Sequence, residues 1–350
     1  MKGKRFFSAL LCAMMVMSLL PTPSLAAGEV AEIVGGDQYT SVQAAIDAAA
    51  DGATVRLLDN VDISSESDTL TIPDINLTID LNGKTITGSG PVAIQHNGTS
   101  ETTLYIIDSS VSGDGTISNT SSHTISSSGN VTLSGGTVIS SGAQAIFAAR
   151  TATVSGGTVR HTTGSNSAIY ADRVLVSGGT VEGKYVTIIC PNITISGGTV
   201  LCTDAGVAMM STNVTVSGGT VQTSSDLPSI NSVNVTVSGG TVRNTGTGAG
   251  IDAANVVVSG GSINNISSTT LINAATPADE VKLYTLTLPG VSTKTAVTGI
   301  TFTPALGYAY GLTDVTTDAF GKLYVWLPDA QKEASVSVTA NGKTYMGTVS

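Results

Sequence analysis

Apolar and polar residues alternate along this chain in short bursts, and the bursts recur. In the unit NVTVSGGTVRNTGTGAGIDAA, Val235 and Val237 flank Thr236, which is the two-residue period of a strand. After two glycines Val242 repeats the inward placement, and Ile251, between Gly250 and Asp252, begins a third short strand. Three strands separated by Gly or Asn turns in about 21 residues describe one coil of a stacked parallel sheet.

The serine of each Ser-Gly-Gly falls at 134, 155, 177, 196, 217, 238 and 259, and a variant, VSGDGTI, places Ser112 a further 22 residues upstream. A fixed period of this size marks a solenoid, in which each unit buries its apolar face only against its neighbours. The pattern predicts an all-β chain: a right-handed parallel β-helix of eight or nine coils, roughly 40 Å long at ~4.8 Å per coil. The Gly-Gly pair supplies turn conformations that a Cβ resists. Asn130, Asn192, Asn213, Asn234 and Asn255, each four residues before the serine, are expected to stack as a ladder of amides. A threonine column (137, 158, 180, 199, 220 and 241, then Ser262) is expected beside them.

Both ends depart from the repeat. In YTSVQAAIDAAADGATVRLL, Ser41 can cap a short helix with Val42, Ala45, Ile46 and Ala49 on one face, a plug for the bottom of the core. Residues 279–350 lack the repeat, carry 8 of the 15 aromatic residues and read as alternating strands of a small Ig-like β-sandwich. The first 26 residues, with Lys2, Lys4 and Arg5 before an apolar run and Ser24 and Ala26 at the −3 and −1 positions, predict a secretory signal peptide. The expected organisation is therefore a leader over 1–26, a helix-capped β-helix over 27–276 and a sandwich over 279–350.

Composition narrows the function classes. Removing the leader takes the net charge from −10 to −13, and the remaining 12 basic residues are scattered. Such a field repels phosphate, so neither nucleic acid nor an anionic membrane is an expected partner. No apolar stretch of spanning length is expected in the mature chain. Cys190 and Cys202, 12 residues apart in a repeat of about 21, should not be stacked neighbours and are expected as buried free thiols rather than a disulfide.

The segments SVQAAIDAAADGATVRLLDNVDI and LTIDLNGKTITG, with the reiterated VTVSGGTV, resemble secreted β-helix proteins of the pectin-lyase-like superfamily. In style they are similar to the repetitive surface proteins of gut-dwelling Gram-positive bacteria. The resemblance covers roughly residues 30–275 and implies the fold. For activity it implies a range, from lyases and hydrolases to adhesins and carbohydrate-binding modules. Its enzymes use stacked carboxylates on neighbouring coils, with Ca²⁺ and a basic residue in the lyases.

Candidate chemistry follows from that comparison. Lys184, Asp204 and Asp226 lie at +7, +8 and +9 from their serines on successive coils. They read either as a solvated surface group or as a weak cation or sugar site. Asp252 shares an outward column with Asn231 and Asn273, and Asp108 and Asp114 suit turns. His96, His123 and His161 share no register, so no catalytic set, metal site or cofactor is expected. Phe147, Tyr170, Ile189 and Met210 fall at one outward position of successive coils, given one extra residue in the coil of Phe147. Such a row is either covered by a loop or the C-terminal domain, or is a contact surface for sugar rings or a partner. Thr132, Thr153, Thr194, Thr215 and Thr236 form an outward file broken by Leu175 and Val257, too narrow for an ice-binding face. Tyr308, Tyr310, Tyr324 and Trp326 serve either as a carbohydrate platform or as the core of the C-terminal domain. The leading expectation is a non-catalytic secreted or cell-surface protein that binds carbohydrate, or a host or cell-wall partner. A polysaccharide lyase or hydrolase and a passive stalk are the alternatives.

Overall fold

The computed structural model describes residues 28–65, 68–164, 166–263 and 266–268, together with strands at 281–287, 296–303, 315–316, 322–328 and 335–340 and the segment 342–348. The leader, Asn273, Tyr308 and Tyr310 lie outside the described residues. Residues 31–268 form one parallel β-solenoid of about ten coils, longer than the sequence suggests because three early coils lack the Ser-Gly-Gly signature.

Each coil contributes a strand to three faces. The first face begins at β3 (Ala53–Leu57), the second at β4 (Val61–Ile63) and the third at β5 (Leu70–Ile72). The in-register stacking turns the alternating sequence into columns. On the third face, Leu70, Ile94, Ile125, Ile146, Ile169, Ile188, Met209, Ile230 and Ile251 stand one above another. All are buried, and from Ile94 on none is more than 1% exposed. β-branched residues suit this position because their stiff side chains pack well on a pleated surface. Each is worth about 2 kcal/mol of burial.

The turn residues explain the beat. The second glycine of each pair, from Gly136 to Gly261, has φ between 65° and 89°, the left-handed region. The first glycine has a different constraint. A Cβ at Gly218 would overlap the Ser196 carbonyl oxygen of the preceding coil, and one at Gly239 that of Ser217. The threonine column stands in register as expected and begins earlier, at Thr85 and Thr116.

The asparagine ladder is shorter than expected. Asn213, Asn234 and Asn255 each donate Nδ2–H to the Oδ1 of the asparagine one coil before, at 3.1, 2.9 and 2.8 Å, which links them to Asn192. Asn130 stands apart because Thr151 and Arg173 occupy the two coils between. Its amide instead donates to the Ser100 and Thr102 carbonyls.

The N-terminal end is closed by β1 (Ala31–Ile33) and β2 (Gln38–Tyr39), with β1 antiparallel to β3, and by α1 (Val42–Ala48). Ser41 caps α1 by accepting from the Ala44 N–H, and Val42, Ala45 and Ile46 are buried. Ala49, the extended residue that ends the helix, is partly buried and packs against the same core. Arg56 ties this cap to the coils. It pairs with Glu32 at 3.2 Å and with the buried Asp80 at 2.8 Å.

Asp80 opens the DLNGKTI motif and explains it. Its carboxylate accepts from the Asn82 and Ser109 amides, the Ser109 hydroxyl and Arg56. Asn82 takes φ 46° and donates its side-chain amide to the Leu57 carbonyl of the coil below. Burial alone would raise the Asp80 pKa, but hydrogen bonds from Arg56 and Ser109 outweigh it and hold the carboxyl below the usual carboxylate range.

Beyond the solenoid, the described strands make a two-stranded and a four-stranded antiparallel sheet. The strands at 281–287 and 322–328 pair Leu283 with Trp326 and Thr285 with Tyr324. The face-to-face packing that a sandwich requires is not among the described contacts.

Two tests follow from this architecture. Gly218→Val or Gly239→Val should cost about 4 kcal/mol or more, read as a fall in melting temperature or in soluble yield. Asp80→Asn should cost about 2 kcal/mol at neutral pH. Because the folded pKa of Asp80 is depressed, its contribution is present above the unfolded value and lost as pH falls through the folded one. The gap between parent and variant should therefore close below about pH 4, as followed by thermal denaturation across an acid series.

Candidate functional site

The apolar row predicted from the repeat stands on the third face. Strand register aligns Phe147 with Tyr170, Tyr170 with Ile189 and Ile189 with Met210. The extra residue in the coil of Phe147 is accommodated by a register shift between Ala148 and Thr151. The same column reads Gln95 and Ser126 before the row and Asn231 and Asp252 after it. The apolar stretch thus spans four coils, about 14 Å from first to last at ~4.8 Å per step, with polar neighbours at both ends. Tyr170 and Met210 are each 43% exposed, and Phe147 and Ile189 are partly exposed.

Phe147 and Tyr170 are stacked, with centroids 5.6 Å apart and planes within 4°. Below them the His123 ring lies 5.2 Å from Phe147, tilted by 43°. The three rings are thus in mutual contact along the column, which continues through Ile189 to the exposed Met210.

Tyr185, 51% exposed in the turn before the Val186–Ile195 strand, adds an aromatic residue that the column argument misses. It occupies a turn rather than a repeated strand position, so no periodic signal marks it. Tyr105, 40% exposed, is missed because it interrupts the threonine file, where it aligns with Thr78 and Thr132. The file otherwise runs as expected, with Leu175 beside Thr153 and Val257 beside Thr236.

Lys184, Asp204 and Asp226 are all exposed, in turns stacked along one corner. Hydrogen bonds connect that corner: the Cys202 thiol reaches the Lys184 carbonyl at 3.3 Å and the Ser225 hydroxyl reaches that of Gly206 at 2.8 Å. The three charges form no ion pair among the described residues, where Arg160–Glu182 is the outward pair. Asp204 Oδ1 accepts from the Ala205 amide.

Asp108, His96 and His161 are tied into the scaffold. Asp108 accepts from the Gly83, Ser110 and Gly115 amides. Burial opposes its ionisation, but those amides and the Ser110 hydroxyl outweigh it and keep its pKa below normal. His96 is buried between the Ser127 hydroxyl at 2.9 Å and the Ile75 carbonyl at 3.1 Å, and burial lowers its pKa. His161 is buried against the Thr163 and Gly142 carbonyls. Cys190 and Cys202 are free and buried, and burial pushes the Cys190 thiol up to about 11. Among the described residues, no three His, Cys, Asp or Glu side chains are grouped to hold a metal ion. No described helix is long and apolar enough to cross a membrane.

No protein-family model, curated protein or solved structure matches the chain. What places it among known architectures is its own backbone, a parallel β-solenoid with about 21 residues per turn.

Because the row lies outside the core, Tyr170→Ala should cost about 1 kcal/mol of stability, mainly through the lost ring stack. Asp204→Ala should be within about 0.5 kcal/mol of the parent. Denaturant titration of the two variants checks both values.

Proposed function

We propose that this chain is a non-catalytic, secreted or cell-surface β-helix protein that binds carbohydrate or another surface partner in the manner of an adhesin. The observation that carries the reading is the four-coil apolar row, with Tyr170 and Met210 standing in solvent between polar neighbours. Contiguous apolar side chains on a rigid outer face favour a contact surface, since scattered single residues would serve solubility better. The leader-like start of the chain supports export, and the likeness in style to repetitive bacterial surface proteins supports a surface role. The partner would meet the exposed Tyr170 and Met210 first, with Phe147 stacked beside Tyr170. The exposed Lys184–Asp204–Asp226 corner is a lesser candidate, and Trp326 lies on the separate two-stranded sheet.

Affinity electrophoresis through gels containing plant, mucin and cell-wall polysaccharides tests the proposal. Retardation is expected, with the glycan unshortened afterwards. Tyr170→Ala should weaken it about 30-fold if the residue anchors the contact, as aromatic hot spots do. Shortened glycan would replace this reading with an enzyme. Undiminished retardation of Tyr170→Ala would move the site off the third face.

A further inference from the structure

The N-terminal end of the solenoid presents three strand edges, and two of them are covered, each in a different way. The outer edge of β3 is paired by β1, Ala31 opposite Leu57 and Ile33 opposite Val55. The outer edge of β5 is met by a side chain that imitates a strand. Gln43 of α1 donates to the Thr71 carbonyl at 2.9 Å and accepts from the Thr71 amide at 2.8 Å. β4 pairs with Thr85–Gly88 on its inner side and, among the described residues, with no strand on its outer side.

A groove of about 480 Å³ lies over that edge. Its apolar lining includes Val42, Val61, Ile63 and Leu70, and the exposed carboxylates of Asp62 and Asp68 stand at its rim. Neither carboxylate has a cationic side chain within ion-pair distance among the described residues. Asp62 accepts from the amide and hydroxyl of Ser64, which fixes its position beside β4.

We infer that the outer edge of β4 is an acceptor for an extended peptide segment of a partner protein, with the pattern apolar–basic–apolar. An unpaired edge supplies backbone hydrogen bonds to an added strand, and alternate side chains supply selectivity. On β4, Asp62 points outward between the inward Val61 and Ile63. A strand laid beside it therefore places its middle residue outward against Asp62, where a lysine or arginine complements the charge. The residues on either side then turn inward over the apolar floor. A second copy is the poorer occupant, because it would bring two carboxylate rims together on chains of net charge −10. This site is independent of the third-face row.

The probe is a fluorescein-labelled pentapeptide of sequence Ser-Val-Lys-Val-Ser, blocked at both ends, titrated with the full chain and followed by anisotropy and hydrogen exchange. Binding is expected, with the amides of Val61–Ile63 exchanging more slowly in the complex. A peptide with glutamate in place of lysine should not bind, and Asp62→Asn should weaken the lysine peptide about two- to fivefold, as for an exposed charge pair. Asp62 is exposed, so the variant is expected to fold as the parent does. Absence of binding at millimolar peptide, equal affinity for the glutamate peptide, or protection confined to other strands would each overturn the inference. So would a peptide-independent dimer in sedimentation with Val61–Ile63 protected, which would assign the edge to a second copy.

Discussion

Everything in this molecule depends on keeping the coils one strand spacing apart at every corner. The Gly-Gly turns carry the tightest form of that requirement. There the backbone of one coil passes so close to the serine carbonyl of the coil beneath that a Cβ has no room. Once the corners are that close, the faces between them are held in register, and each residue type meets its own kind above and below. Apolar columns such as Ile125–Ile146–Ile169–Ile188 then close the core without large side chains. The low aromatic content follows, because a cross-section this narrow is filled by Val, Ile and Leu.

Much of the fold was legible in the chain for the same reason. When neighbours in space are separated by a constant number of residues, periodicity in sequence is contact in structure. The inward Val and Ile positions, the threonine column and the alignment of Phe147 with Tyr170 all follow from counting. What escaped was whatever the period does not carry. The three early coils depart from the Ser-Gly-Gly form, so the number of coils came out low. Asn130 holds the ladder position by count, but Thr151 and Arg173 stand between it and Asn192. The closure of β5 by Gln43 is a single long-range contact across 28 residues and leaves no repeated trace.

The candidate site was legible in placement and not in orientation. Column counting puts Phe147 and Tyr170 on the same face, but only side-chain torsions decide whether rings lie flat or stand on edge. Phe147 and Tyr170 hold their planes parallel, within 4°, a pairing that counting alone does not show. A similar division holds for the acids. Asp80 and Asp108 are conspicuous in sequence, yet their oxygens are occupied by turn amides and, for Asp80, by Arg56. Asp62 and Asp68 draw no notice from the repeat, although they border the strand edge that the cap leaves uncovered.

The asparagine ladder has a direction. In each link the later coil donates and the earlier coil accepts, so the side-chain amide dipoles of Asn192, Asn213, Asn234 and Asn255 align head to tail. Aligned amides polarise one another, which strengthens each link beyond what an isolated pair would have. The corner is consequently a short polar wire whose two termini differ in kind, one offering N–H and the other C=O. A solenoid built of near-identical coils is by this feature electrically unlike at its two ends, and a unit duplicated into the run would extend the wire without reversing it.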